Sequence, residues 1–314
     1  MTESNQPSLQ RRFGHYKVVE EVGAGGLGKV FKGLDDRTGR VVAIKVLHDK
    51  YATSRKFLGI FHRELLTISR LHHKHLVSYL DSGFDPPNCF IVTEFVDGWS
   101  CYGFMKQRKR VPPIVALSIV MDILQGIDYL HLHDTIHSDL SMPNVMIERT
   151  GRILVTDFGL ACQLEVEDYK NYMVGTPGYY SPEHVSEVGI LPQTDLYCTG
   201  LILYELIAGT KAVIASQDRT RVVQSMKKIV YDPIKISDPK LQAMVVKLLK
   251  SALTFNATSR VESAEAFMFE IYKILKKYNI RYTRYAIKKY LIDTGMVKSE
   301  LPAADQDIYV GFSD

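Results

Sequence analysis

The apolar positions of this chain change their period near residue 98. Before it, Tyr16 to Val22, Lys29 to Leu34 and Val41 to Leu47 are short runs rich in β-branched residues, separated by Gly-rich or Asp/Gly turns, and they predict a meander of strands. Phe61, Leu65, Ile68 and Leu71 recur at helical spacing and predict one long helix from Phe57 to Leu71, after which Leu76 to Phe84 and Cys89 to Phe95 return to strand pattern. Beyond Gly98, Ile114, Leu117, Met121 and Leu124 mark a long amphipathic helix, and further helices are predicted over 193–208, 239–253 and 261–277. Val145-Met146-Ile147 and Ile153-Leu154-Val155 flank the turn Glu148 to Gly151 and predict a β-hairpin. The pattern is that of an α+β chain, β-rich first and mostly helical afterwards. Residues 1–15 are polar and predict a flexible N-terminal segment, while 278–314 are less regular and read as an appended tail.

Composition narrows the classes. The 314 residues are enough for two packed lobes, and a net charge of +4, from 39 basic and 35 acidic residues, is too small to predict nucleic acid or a membrane as the main partner. Cys89, Cys101, Cys162 and Cys198 lie far apart without Cys-x-x-Cys spacing, which predicts reduced thiols rather than a disulfide framework or zinc. Met1 to Gln10 lacks the apolar run of a secretory signal, and no stretch approaches the roughly 18 apolar residues of a membrane helix, so a cytoplasmic enzyme is expected. His72-His73 and His131/His133 flank helix ends without acidic or cysteine companions and read as structural.

Three stretches carry chemistry. Gly23, Gly25 and Gly28, within Val22-Gly23-Ala24-Gly25-Gly26-Leu27-Gly28-Lys29-Val30, fit G-x-G-x-x-G, where backbone N–H groups can approach phosphate oxygens that a β-carbon would keep away. A dinucleotide-binding turn would have to lead from strand into helix, whereas Lys29 onward is strand-like, so the loop predicts a β-hairpin flap. Lys45, in the strand Val42-Ala43-Ile44-Lys45, either reaches water from a sheet edge or is held for a purpose. Glu64 lies on the apolar side of the predicted helix, where a carboxylate needs a cation; a Lys45–Glu64 pair would aim the lysine at phosphates, and a local pair with Arg63 or Arg70 is the alternative. Finally, Asp139 and Asn144 stand five apart in a loop after a helix, and the predicted hairpin returns the chain so that Asp157 emerges beside Asn144. Asp139 can orient an acceptor hydroxyl and take its proton, and Asn144 and Asp157 offer hard oxygen ligands for Mg2+ on phosphates. In this order the three stretches supply the parts that phosphoryl transfer needs.

With these residues the chain resembles the eukaryotic-like, Hanks-type serine/threonine protein kinases in their bacterial style, over roughly residues 16 to 277. Gly175-Thr176-Pro177-Gly178-Tyr179-Tyr180-Ser181-Pro182-Glu183 resembles the end of the family's activation segment, Asp195 with Gly200 its D-x-x-x-x-G helix start, and Arg260 the arginine that pairs with the segment's glutamate, here Glu183. The resemblance implies a bilobal fold with a small β-rich N-lobe over 16–96 carrying one long helix, and a larger helical C-lobe over 97–277. It further implies ATP between the lobes under the loop Val22 to Val30, beside Ala43 and Lys45, with adenine against Glu94-Phe95-Val96 and Thr93 as gatekeeper. Lys45, Glu64, Asp139, Asn144 and Asp157 are then the catalytic set, ATP and Mg2+ the cofactors, and a protein the acceptor.

Ser138 stands where the family has arginine, Ser141 where its serine/threonine members have lysine, and Ser181 where alanine is usual. Without the arginine a phosphorylated segment residue loses its anchor, and between Gly159 and Gly175 there is no Ser or Thr, only Tyr169 and Tyr172 beside Glu165, Glu167 and Asp168. These departures predict an activation segment not switched by Ser/Thr phosphorylation, and slow turnover, since an electrostatic donor of the missing kind carries about 3 kcal/mol of transition-state stabilisation. Two other readings stay open: a pseudokinase that binds nucleotide as a scaffold, and a small-molecule kinase, against which the Thr176–Glu183 peptide platform argues. The basic, aromatic run Arg281 to Tyr290 is either a docking site for an acidic partner or nucleic acid, or a tail helix packing its tyrosines inward with its cations in water.

Overall fold

The computed structural model describes residues 11–25, 28–160, 162–163, 175–186, 189–281 and 283–298. Gly26 and Leu27 of the glycine-rich loop, the tyrosines and carboxylates of 164–174, and the expectations for residues 1–10 and 299–314 lie outside the described residues. The chain divides into two compact units, one comprising Met1–His72 with Val77–Val96, the other His73–Leu76 with Asp97–Asp314.

The first unit is a six-stranded antiparallel sheet with one long helix. Its elements are β1 (Arg12–Phe13), β2 (Tyr16–Ala24), β3 (Gly28–Asp35), β4 (Val41–Leu47), α1 (Arg55–Ile68), β5 (Tyr79–Asp85) and β6 (Asn88–Glu94), in the sheet order β1-β2-β3-β4-β6-β5. Strand alternation sorts its residues by face. Phe31, Val42, Ile44, Val46, Phe90 and Val92 bury one face together with Phe13 and Tyr16, while Val30 stands opposite Lys45, and Ala43 opposite Thr93, on the other. Phe13 corrects the expectation of a flexible segment over 1–15. It is buried between Phe31 and Phe90, and a lone apolar residue in a polar run carries no periodic signal.

The second unit is built of β7 (Gly98–Ser100), α2 (Cys101–Arg108), α3 (Pro113–Leu132), β8 (Thr135–Ile136), β9 (Val145–Glu148), β10 (Ile153–Val155), β11 (Cys162–Gln163), α4 (Pro192–Ala208), α5 (Arg219–Lys227), α6 (Pro239–Ala252), α7 (Ala264–Lys277) and α8 (Thr283–Asp293). Helix α3 is long and apolar enough by composition to cross a membrane, contrary to the sequence expectation; its side chains are mostly buried, and it packs against α4, α7 and α8. The tail region is a helix seated on this unit. Thr283 Oγ1 donates to Asp122 Oδ1 at 2.7 Å and Tyr290 meets Phe104 edge-on. Its cations are not all in water: Lys288 is only 6% exposed and donates to the Arg149 carbonyl at 2.8 Å, in the β9–β10 turn. Cys89, Cys101 and Cys198 are free thiols.

The predicted hairpin is β9–β10, with Val145 opposite Val155 and Ile147 opposite Ile153. Leu76, expected in a strand with Phe84, instead bridges Val155, and Val155 N donates to the His75 carbonyl at 2.9 Å. His75 is buried, and its ring Nδ1 lies 2.9 Å from the Ile153 carbonyl, to which it donates. This short segment fixes β10, the strand after which Asp157 follows. Burial pushes the His75 imidazole from 6.5 down to about 4, so the unfolded chain takes up this proton first as the pH falls. Its contribution to stability is therefore complete above the unfolded value and is lost on acidification through the window from 6.5 to about 4. Between pH 7 and pH 5 denaturant unfolding should show a loss from this group of about 2 kcal/mol. His75→Asn, which keeps a donor for Ile153 and does not titrate, should remove that part of the slope.

Candidate active site

In the first unit the apolar periodicity of α1 turns Glu64 inward, and it meets Lys45. The lysine Nζ lies 2.6 and 2.8 Å from the two carboxylate oxygens, with the glutamate side chain 5% and the lysine 19% exposed. Two charges so enclosed hold each other in place, because removing either strands the other. Across the ladder Val30 sits beside Lys45.

The glycine-rich segment is a β2–β3 hairpin, with Gly23 opposite Val30, Ala24 opposite Lys29 and Gly25 N donating to the Gly28 carbonyl at 2.8 Å. Its glycines do different things. A Cβ on Gly28 would lie 2.2 Å from the Val46 carbonyl oxygen, so glycine there lets β3 approach β4. A Cβ on Gly23 would meet nothing within 4 Å, which leaves that side of the hairpin open, as a backbone cradle for a ligand requires. Val22 is exposed, and Lys29 pairs with Glu21 at 2.7 Å. The Glu94 carboxylate is turned into the unit, where its Oε1 accepts from Ser78 N at 2.9 Å and Ser78 Oγ at 2.8 Å. Thr93 Oγ1 donates to the Glu94 carbonyl at 3.3 Å, and Val96 is buried.

In the second unit the site is organised by Asp195, fully buried in the first turn of α4. Its carboxylate accepts from the backbone N–H of His137 at 3.0 Å and of Ser138 at 3.0 Å, and from His131 Nε2 at 2.9 Å. Burial alone would push this carboxyl up, but the His131 hydrogen bond and the charges and N–H donors of His131 and His137 outweigh it and hold it below the usual range. Ser138, in the left-handed region at φ 59, is kept there by this anchor, while its hydroxyl donates to the Leu160 carbonyl. The loop therefore presents Asp139 in one position. Asp139 Oδ1 accepts from Thr176 N and Thr176 Oγ1, both at 2.8 Å, and Asn144 Nδ2 reaches Asp139 Oδ2 at 3.2 Å and its carbonyl at 2.9 Å. Thr156 N donates to the Asn144 carbonyl at 2.9 Å and His137 Nε2 to the Thr156 carbonyl at 3.0 Å, which ties the end of the hairpin, and Asp157 after it, to the same loop. Burial raises the Asp139 carboxyl, the nearby Asp157 carboxylate adds to the rise, and the Thr176 bonds and His137 oppose it.

The donor set suits magnesium. Asn144 makes both of these bonds through Nδ2, so Oδ1 is the atom that could meet an ion, and Asp139 and Asp157 offer carboxylate oxygens, the hard donors such an ion prefers. Among the described residues no group of three His, Cys, Asp or Glu is arranged to chelate a metal alone, so an ion here would complete its shell with ligand phosphates and water.

The structure thus pairs Lys45 with Glu64 in one unit and joins Asp139, Asn144 and Asp157 in the other. Arg260 also meets Glu183, through two parallel bonds of 2.9 and 3.1 Å in a buried pair. One expectation is corrected: His131 has an acidic companion, Asp195, and serves the loop anchor. Sequence reasoning also missed the Thr176 clasp on Asp139, since 37 residues separate the partners and no local spacing signals it.

The chain matches the protein kinase domain family over residues 16–271, and it belongs to that family. It is 35% identical over 197 residues to the probable serine/threonine-protein kinase PknB of Lactococcus lactis, covering 62% of this chain and 31% of that protein. It is 31% identical over 196 residues to the serine/threonine-protein kinase PknL of Mycobacterium tuberculosis, covering 62% and 49%, and 32% identical over 202 residues to the serine/threonine-protein kinase PrkC of Bacillus subtilis, covering 64% and 31%. The matched stretch is therefore at most about half the length of these curated relatives.

Replacing the loop anchor isolates its energetic role. Asp195→Ala leaves two buried backbone N–H groups and His131 without their acceptor, and should destabilise the fold by about 3–5 kcal/mol in a denaturant titration. Asp195→Asn, which keeps one carbonyl oxygen, should fall between it and the wild type.

Proposed function

We propose that this chain is a magnesium-dependent protein kinase that moves the γ-phosphoryl group of ATP to Ser or Thr hydroxyls of protein substrates. The observation that carries the reading is the Asp139 carboxylate held by Asn144 on one oxygen and Thr176 on the other, which gathers a base, an amide ligand and the acceptor segment around one atom group. In this reading Asp139 orients the acceptor hydroxyl and takes its proton, a task its raised basicity favours. Lys45, steadied by Glu64, pairs with the nucleotide phosphates; the Gly23–Gly28 hairpin lays backbone N–H groups against them; the main chain of Glu94 to Val96 receives the adenine beside Ala43 and Thr93. Asn144 and Asp157 hold the magnesium, which supplies positive charge to the phosphates. The names of the relatives, the family membership and the peptide platform from Thr176 to Glu183 favour a protein over a metabolite as acceptor.

The same reading makes turnover slow and independent of Ser/Thr phosphorylation of the segment. Ser141 brings no cation to the loop, and the Thr176 hydroxyl is already donated to Asp139. A phosphate on Thr176 would set a dianion against that carboxylate and remove the donor.

The test is incorporation of labelled phosphate from magnesium-ATP, with the phosphorylated sites mapped by mass spectrometry. Asp139→Asn should reduce transfer by roughly 100- to 10,000-fold while nucleotide binding survives, and Asp157→Asn should abolish the magnesium requirement for binding along with transfer. Phosphatase treatment of the wild type should leave its activity unchanged. Nucleotide bound but no label transferred, or label that neither substitution affects, would replace this reading with that of a nucleotide-binding pseudokinase.

A further inference from the structure

The residue after the segment's glutamate, His184, spans from the acceptor segment to the catalytic loop. Its Nε2 lies 2.7 Å from the carbonyl oxygen of Ser138, an atom that can only accept, so Nε2 carries the proton. Its Nδ1 is then bare and accepts from Ser181 N at 3.0 Å and Ser181 Oγ at 2.9 Å. Both ring nitrogens are thus used in one neutral tautomer, and burial, which lowers the imidazole's affinity for a second proton, keeps it so against the pull of the Asp139, Glu183 and Asp195 carboxylates.

The two atoms bridged matter for the reaction. The Ser138 carbonyl belongs to the peptide bond that carries Asp139, and the N–H of that same peptide reaches His137 Nδ1 at 3.3 Å. Ser181 precedes Glu183, which Arg260 clamps from the other side. The bridge therefore connects the peptide plane of the base to the clamped end of the acceptor platform. It also joins two of the three positions at which this chain departs from its family's pattern: Ser138 in place of arginine, and Ser181 in place of alanine.

We propose that His184 is a positioning residue for phosphoryl transfer, a short neutral strut that holds the Asp139 peptide against the acceptor platform and takes over, without any phosphate, the cross-link that a cation at position 138 would make to a phosphorylated segment. The inference rests on the kinase reading for its functional consequence and on the hydrogen bonds alone for the strut.

Two substitutions in the full chain separate the ends of the ring. Glutamine places an amide nitrogen where Nε2 stands and keeps the bond to Ser138; asparagine reaches only the Nδ1 position and loses it. His184→Asn should lower kcat by roughly 10- to 100-fold with KM for ATP unchanged, a cost expected when a base is displaced by a fraction of an ångström to about one ångström. His184→Gln should stay within about threefold of the wild type, and the two variants should melt together. Hydrogen exchange at the Ser138 and Asp139 amides should quicken in the asparagine variant and not in the glutamine one, and nitrogen NMR of the wild type should show His184 protonated at Nε2 alone. Equal kcat in the two variants, a kcat loss that tracks melting temperature, or His184 protonated at Nδ1 would overturn the proposal. If the wild type transfers no phosphate, the kinase reading fails by itself, and unequal exchange together with the Nε2 tautomer would still establish the strut, while equal exchange would dismiss it.

Discussion

A single buried carboxylate sets the geometry on which the second unit depends. Asp195 lies in an apolar interior where an ionised group survives only with partners, and it takes them from the backbone of the loop, His137 and Ser138, and from His131. The arrangement is mutually enforcing. The charge requires the N–H groups, and the N–H groups, drawn to one carboxylate on a rigid and almost fully buried helix, force Ser138 into a backbone region that serine rarely occupies. Asp139 follows directly from that constraint, so its carboxylate is placed by helix α4 rather than by its own loop.

Much of this was legible in the residue pattern, and the reason is locality. The period-2 runs of β2, β3 and β4 and the helical spacing of α1 depend on neighbours within a few residues, which is why Glu64 could be read as an inward-facing carboxylate and matched to Lys45. The same logic failed where burial is decided from afar. Phe13 has no apolar partner nearby in sequence and is core only because Phe31 and Phe90 close over it. Leu76 looked like the start of a strand, but the interior it fills belongs to β10. The histidines were harder still. His131 read as a structural residue at a helix end and His184 gave no signal, and their partners lie 64 and 46 residues away. No spacing rule reports such pairs.

The tail helix shows how a composition argument can mislead about one residue while being sound about the segment. Helix α8, Thr283–Asp293, packs within the second unit, as a basic amphipathic helix can, with Lys289 paired to Asp293 at the surface. Lys288 differs because the β9–β10 turn offers it a carbonyl acceptor at Arg149, and because Gly151, at φ 88, brings the turn so close that a Cβ there would lie 2.8 Å from the Arg284 carbonyl. Burying an ammonium lowers its proton affinity, as it does for Lys288, yet an aligned carbonyl and an aliphatic stem in apolar surroundings make the site tenable. The helix is thereby seated on the turn of the hairpin whose other end leads to Asp157.

The charge balance around Asp139 gives the remaining step. Burial and then the nearby Asp157 carboxylate make Asp139 costlier to ionise, and the loop position that would carry a lysine holds Ser141, buried and with no hydrogen-bond partner for its hydroxyl among the described residues. Loop and hairpin end thus bring two carboxylates together, with no lysine at 141 beside them. On the kinase reading proposed above, a divalent ion held beside Asp157 would ease this repulsion, because the carboxylate would then have an opposite charge at short range. On that same reading, serine at 141 would leave the neutralising of phosphate charge to the metal rather than to a side chain. The held position of Asp139, set by Asp195, Thr176 and Asn144, would then be what the protein itself brings to the transfer.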